Sequence, residues 1–247
     1  MKVSIITVCY NSEKTIYDSL LSIKNQTYKN IEHIIIDANS QDSTLSIVSK
    51  FEHVNFVISE KDNGIYDAMN KGISIATGDI IGILNSDDIL INNNIISDIT
   101  NAFNNNVNID MIYGNLYYVE NYNLNKILRK WVSKPYFENY FENGNVPPHP
   151  TLYIKKNVYN NSIFFNLKYT LAADYEFMLR VFKVYKYNSL YIDKYFVKMR
   201  NGGATSKNWK NRYIQNKEII AAWNDNNLKL PSFFIIKRIF IKLLQYF

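Results

Sequence analysis

Hydrophobic positions in the first part of the chain follow two alternating rhythms. Lys2 to Cys9, Ile31 to Ala38, Asn55 to Ser59 and Asp79 to Leu84 are strand-length and apolar almost throughout. Between them, Glu13 to Lys24, Asp42 to Phe51 and Ile65 to Ala76 read as helices. Apolar strands separated by helices predict an α/β fold: an open, mostly parallel sheet with helices on both faces. Past Asn93 the rhythm loosens into an Asn-rich stretch, read as a polar helix face and a surface loop. A strand at Met111 to Val119 and an irregular aromatic segment to Pro150 follow. Ala172 to Tyr185 places Phe177, Met178, Val181, Phe182 and Tyr185 on a helical stripe. After a break at Asn201 to Asn208, one or two helices end in "LPSFFIIKRIFIKLLQYF".

In such sheets ligands bind at the carboxyl ends of the strands. Three strands end in polar punctuation there: "CYNS" at 9 to 12, "DANSQD" at 37 to 42 and "NSDD" at 85 to 88. Neither the glycine-rich dinucleotide fingerprint nor the phosphate-loop lysine motif is present. The crevice is therefore neither a standard dinucleotide site nor a P-loop.

Composition narrows this little. The 247 residues, 47% hydrophobic, suffice for one main domain, and the single cysteine excludes an internal disulfide. With no signal-peptide pattern and no apolar run of membrane-spanning length, the expectation is a cytoplasmic protein that does not span a bilayer. Charge changes the picture more. Through residue 125 there are 7 Lys/Arg against 15 Asp/Glu, and after it 21 against 7, so a −8 half precedes a +14 half. A basic half suits nucleic acid, anionic lipid or a phosphorylated substrate.

Adjacent carboxylates at a strand end repel unless a cation joins them, so Asp87 and Asp88 suit Mg²⁺ or Mn²⁺, which favours oxygen and shares substrate phosphates. The alternative is an N-cap for the next helix by Asp88 or Asn92. Asp37 is placed to accept from a base or ribose hydroxyl, or to form a turn with Asn39 and Ser40. In "EKDNGIYDAMNKG", Gly64 permits unusual backbone geometry, and Tyr66, Asp67 and Asn70 share one helical side. Asp174 reads as a helix cap or as a base, with Glu176 as the alternative carboxylate. His149 lies in a Pro-rich turn. Arg200, with Gly202 and Gly203, offers a cation and a close backbone approach to a diphosphate, or else a pair with a surface acid.

The segments "SIITVCYN", "IEHIIIDANSQDST", "DNGIYDAMNKGISIATGDIIGILNSDD", "PHPTLYIKK", "AADYEFMLR" and "RNGGATS" occur in an order that resembles the family 2 glycosyltransferases of bacterial O-antigen and surface-polysaccharide assembly. The resemblance covers about residues 1 to 206. It implies a GT-A fold, a nucleotide-sugar donor, a divalent cation and inversion at the anomeric carbon. Residues 1–92 would be the donor half, with Val8, Cys9, Tyr10, Asn11, Asp37, Asn63, Gly64, Asp67, Asn70, Ser86 and Asp87 around the donor. Residues 93–206 would be the acceptor half. Position by position, Asp88 matches the metal ligand, with Asp87 facing the donor and sharing the metal. Asp174 matches the general base, and His149 and Arg200 stand near phosphates or acceptor. Ala38 replaces the second acid usual after the second strand, which weakens the case for uracil reading by this loop. Val8 and Cys9 stand where many relatives have Pro-Thr.

The implied reaction moves a hexose or N-acetylhexosamine, with galactose or glucose preferred, from a UDP-sugar to a polyprenyl-diphosphate-linked sugar. A nucleotidyltransferase and a nucleic-acid-binding protein are the competing readings. The first lacks a glycine-rich N-terminal loop, and the second leaves the acidic crevice unexplained, so no nucleic-acid partner is expected.

The tail, 207–247, has no acid from Lys229 onward. At 100° per residue Lys237, Arg238, Lys242 and Gln245 share one arc, which Phe234 and Ile241 interrupt. Such a helix suits an anionic membrane surface, peripheral on the inner face of the cell membrane. The alternative is packing on the catalytic domain or on a second subunit of a homodimer.

Overall fold

The computed structural model describes residues 1–160, 163–202 and 209–246. In the first half the strands are β1 (Val3–Cys9), β2 (Ile31–Asp37), β3 (Val54–Ser59) and β4 (Ile80–Ile83), with helices α1 (Ile16–Lys24), α2 (Thr44–Val48) and α3 (Ile65–Ile75) between them. These four strands are parallel, in the order β3-β2-β1-β4. The central ones bury every side chain of β1 and nearly all of β2, as their apolar runs require. β3 is a sheet edge, so Phe56 and Val57 are about half exposed despite a similar sequence.

The second half completes the same sheet. β5 (Asp88–Leu90), α4 (Ile95–Asn105), β6 (Met111–Val119), β7 (Ile127–Trp131), β8 (Tyr153–Lys155), α5 (Lys156–Tyr159), α6 (Ala173–Leu179) and β9 (Ser189–Arg200) follow. The order continues β4-β8-β6-β9-β5, with β7 beside β6. β8 runs antiparallel between β4 and β6, which lets one hydrogen-bonded surface span both halves. Gly82 makes this possible, because a Cβ there would lie 2.3 Å from the Tyr153 ring. The stripe expected from Ala172 to Tyr185 is α-helical only to Leu179, and Arg180–Val184 continues as a π-helical turn.

Two helices close the chain: α7 (Trp209–Asp225) and α8 (Phe234–Leu244). Phe234 packs on Trp223 at 5.3 Å between ring centroids, and Trp223 donates to the Tyr175 hydroxyl on α6 at 2.9 Å. Gly144, at φ +83°, runs beneath α8 so closely that a Cβ would lie 2.8 Å from the Arg238 nitrogen. The Lys130 amide donates to the Gln245 carbonyl at 3.0 Å. The helix is thus seated on the sheet and α6 side of the chain, and the arc that faces inward holds Phe234, Arg238, Ile241 and Gln245. The two apolar residues that break the polar arc in sequence are its packing contacts. Outward stand Ile236, Ile239, Phe240, Leu243, Leu244 and Tyr246, each between 53% and 63% exposed. Among the described residues no helix is long and apolar enough to cross a membrane.

Candidate active site

The loops after β1, β2 and β4 meet at one sheet edge. Val8 and Cys9 are buried on β1, and Tyr10 beyond them is exposed. Asn11 turns the chain at φ 48°, receives Gln41 N–H on its side-chain oxygen at 2.9 Å, and gives its own N–H to Ser40 Oγ at 2.8 Å. Ser86 N–H reaches the Val8 carbonyl at 3.3 Å, and its hydroxyl lies 2.9 Å from that of Ser12. Burial and the Asp37 carboxylate push the Cys9 thiol far up, so it is a wall of the crevice and not a nucleophile.

Asp37 differs from the expectation of a free ribose or base acceptor. Its oxygens accept from Ser40 N–H at 2.9 Å, Ser40 Oγ, Ser59 Oγ at 2.6 Å and Cys9 Sγ at 3.4 Å. That fills the capacity of a carboxylate. Asp37 is the keystone of the loop, the turn-forming alternative.

Asp88 is the opposite case. It opens β5, paired with Met199 of β9, and is 0% exposed. One oxygen takes the Asn85 side-chain N–H at 3.1 Å, while Oδ1 is buried with no partner. Neither Asp88 nor Asn92 caps α4, whose N-cap is Asn94. Burial and then the neighbouring Asp87 hold the Asp88 carboxyl well above the usual range. Burial raises Asp87 too, against the pull of Arg200. An unpartnered buried oxygen beside a second carboxylate is the donor set of a hard divalent ion. Among the described residues no third acid or histidine joins them. That ligand-poor arrangement fits Mg²⁺ or Mn²⁺, which fills its shell with water and substrate phosphate.

Arg200, at the end of β9, pins this turn. Its Nη1 donates to the Asp87 carbonyl at 3.0 Å, its Nε to the Asn121 carbonyl at 3.1 Å, and its Nη2 to Asp18 on α1. The pairing alternative therefore describes Arg200 better than a phosphate ligand: three donors are spent inside the protein. Gly202 has a positive φ, and Gly203 lies outside the described residues.

Asp174 is the second residue of α6 and makes no cap hydrogen bond. It accepts from the Tyr66 hydroxyl at 3.1 Å. Its charge is felt at His149, Tyr118, Arg238 and Lys242. Burial raises the Tyr118 hydroxyl on β6, and the charges of Asp88 and Asp174 add to that rise. His149 is buried against Phe165, and burial lowers its pKa, which favours the neutral ring. Glu176 is removed as an alternative base, because Arg180 holds both its oxygens at 2.9 and 3.0 Å.

The α3 residues divide. Tyr66 faces Asp174. Asp67 folds back on the Asn63 N–H at 3.0 Å, and Gly64, at φ 111°, gives its own N–H to Asp62. Asn70 exchanges two hydrogen bonds with the Phe165 backbone, both 2.9 Å, and so clamps the loop before α6. These bonds give Asp67 and Asn70 a scaffolding part in the loops around the site. Tyr118 and Arg129 escape sequence reading, since each lies in an aromatic strand with no motif around it.

The sequence profile described as glycosyl transferase family 2 matches residues 4–164. The chain belongs to that family. A curated relative, the Escherichia coli UDP-Glc:alpha-D-GlcNAc-diphosphoundecaprenol beta-1,3-glucosyltransferase WfgD, is 35% identical over 133 residues, 53% of this chain and 51% of that one. The match thus spans about half of the relative's length. In fold, the chain is similar to Staphylococcus aureus TarS in complex with UDP-GlcNAc: TM-score 0.71, 20% identity, 96% of this chain and 72% of that one. It is also similar to a Pyrobaculum calidifontis mannosyltransferase in complex with GDP-Man and Mn²⁺: TM-score 0.68, 16% identity, 98% and 69% covered. The family 2 chain thus has the GT-A architecture of these neighbours.

Proposed function

We propose that this glycosyltransferase is inverting and divalent-metal-dependent, and that it moves a hexose or N-acetylhexosamine from a UDP-sugar to a polyprenyl-diphosphate-linked sugar in surface-polysaccharide assembly. One observation carries the reading: the orphaned oxygen of Asp88 beside Asp87, in a protein whose Asp174 carboxylate is held by the Tyr66 hydroxyl. The activity of WfgD, a beta-1,3-glucosyltransferase acting on alpha-D-GlcNAc-diphosphoundecaprenol, supports the acceptor class and a glucosyl donor.

Asp88 and Asp87 would hold the metal, which supplies Lewis-acid neutralisation of the departing diphosphate. Asp174 takes the proton of the acceptor hydroxyl as its oxygen attacks the anomeric carbon. The bond from that carbon to the diphosphate oxygen breaks on the opposite side, and its electron pair leaves with the nucleoside diphosphate. One displacement inverts the centre without a covalent enzyme intermediate. Tyr66 fixes the orientation of Asp174, and neutral His149 offers a hydrogen bond to a sugar hydroxyl.

The same reading puts the protein on the inner face of the cell membrane through the exposed apolar arc of α8, with exposed Lys237 on the same helix. An enzyme that uses a lipid-borne acceptor gains from lying where that lipid is.

The test is titration of the purified protein with UDP, GDP and UDP-sugars in Mn²⁺ and in EDTA. Manganese-dependent binding of a uridine nucleotide, lost in Asp88→Ala, is the expected result. Equal binding with EDTA would sink the metal role, and a preference for GDP would sink the UDP assignment.

A further inference from the structure

Cations without carboxylate partners gather where β7 meets α8: Arg129 lies 5.5 Å from the Tyr246 ring, just past the helix that carries Arg238 and Lys242. Arg129 on β7, Arg212 on α7, and Arg238 and Lys242 on α8 make no ion pair among the described residues. Arg238 is 6% exposed, lies 4.8 Å from the Tyr175 ring centre, and leaves Nη1 buried without a partner. Arg129 lies 4.1 Å over the Tyr118 ring, and its Nε is buried and unpartnered. Guanidinium groups with unspent donors cost stability unless an anion arrives.

We propose that Arg129, Arg238 and Lys242 seat the diphosphate of the lipid-linked acceptor. The inference rests on the acceptor class proposed above. Asp174 is the acid whose charge reaches both Arg238 and Lys242, and it is occupied with the Tyr66 hydroxyl. The other acid felt at Tyr175, Glu142, is paired with Lys183. The donor diphosphate has its own place at Asp87 and Asp88. In a diphosphate-linked sugar the attacking hydroxyl and the diphosphate are separated by one sugar ring. A base at Asp174 thus requires an anion seat close by, where these cations stand.

The crevice between β7 and α8, lined by Trp131, Arg238, Ile241, Lys242 and Gln245, encloses only about 20 Å³. A phosphate therefore sits at its mouth, where Lys242 is exposed, with the guanidinium groups behind. The outward arc of the same helix is apolar, so the lipid chain continues from the diphosphate towards the surface that α8 presents.

The experiment uses the full chain and its Arg129→Gln, Lys242→Gln and double variants, neither residue being fully buried. Binding of geranyl diphosphate and of geraniol is measured by calorimetry in EDTA, which disables the acidic pair. The wild type should bind the diphosphate and not the alcohol, and each variant should weaken binding at least tenfold while UDP binding in Mn²⁺ keeps its affinity. No diphosphate binding by the wild type, or equal binding by the variants, overturns the proposal. Sedimentation with phosphatidylglycerol vesicles separates the lipid source: vesicle binding lost with geranyl diphosphate binding intact assigns the cations to headgroups and overturns it too. Failure of the acceptor reading looks different. Cation-dependent diphosphate binding, with transfer no better to a diphosphate-linked sugar than to a neutral glycoside, keeps the anion seat and rejects the acceptor class.

Discussion

The loops after β2 and after β4 lie at the same sheet edge, and each presents an aspartate, yet the two carboxylates live differently. Asp37 accepts from four groups and holds its loop together. Asp88 is as deeply buried, accepts from one, and has a like charge as its neighbour. A buried group whose bonds are complete serves stability; one left incomplete costs stability and awaits a ligand. The cations of β7 and α8 repeat the second pattern with opposite sign. The protein thus has two unsatisfied centres, one acidic and one basic.

The largest effect should come from Asp88→Asn. Transfer should fall by several orders of magnitude, since metal stabilisation of a leaving group is worth several kcal/mol and each ~1.4 kcal/mol is tenfold. The same variant should melt higher than wild type in EDTA, by a few degrees at about 2–4 °C per kcal/mol, and lose the Mn²⁺-induced rise. The sign follows from a folded-state pKa raised by burial and Asp87: the carboxylate form penalises the fold above its unfolded pKa, and the amide removes that penalty. Lower stability in EDTA would break the contrast with Asp37.

Next, Asp174→Asn should lower kcat by about 10²–10⁴-fold with UDP-sugar affinity retained. Tyr66→Phe should cost about tenfold or less, through loss of one charge-assisted hydrogen bond. A larger loss for Tyr66→Phe than for Asp174→Asn would exchange their roles.

Asp37→Asn should show the mirror image of Asp88→Asn. Its loop loses acceptors for buried donors, so stability should drop by about 1–3 kcal/mol, read as a lowered denaturant midpoint, with metal dependence intact.

The smallest expected effect is a pH dependence. Desolvation of its amine, then Arg238, Arg129 and Arg212, push Lys242 down to about 8, although the residue as a whole is exposed, while Asp174 opposes them. Because the ammonium is lost above that value, affinity for geranyl diphosphate in EDTA should decline by a few-fold as pH rises from 7 to 9. Lys242→Gln should flatten the profile. The fold should gain stability over the same rise, since the folded-state pKa lies below the unfolded one.

The parallel half of the sheet was legible because buried strands need uninterrupted apolar runs and the polar residues that end them stand out. β9 was not anticipated, since its residues are only partly buried and its mixed sequence shows no period. The same limit applied at the site. "NSDD" announces itself by adjacent charge, whereas the clamp that Asn70 makes on the Phe165 backbone is visible only in the fold. Tyr118 and Arg129 matter only because folding brings β6 and β7 beside residues far away in the chain.

The tail separates the two sources of information most sharply. Helical periodicity in residues 234–244 determined that one arc would be basic and the other apolar, because side-chain order on a helix follows from its 3.6-residue turn. Which arc faces inward was decided by the tertiary structure: Gly144 admits the helix backbone, and Phe234 and Ile241 anchor the basic side. Periodicity describes a helix against itself, whereas orientation depends on the surface it meets, and that surface is assembled from strands and turns distant in sequence.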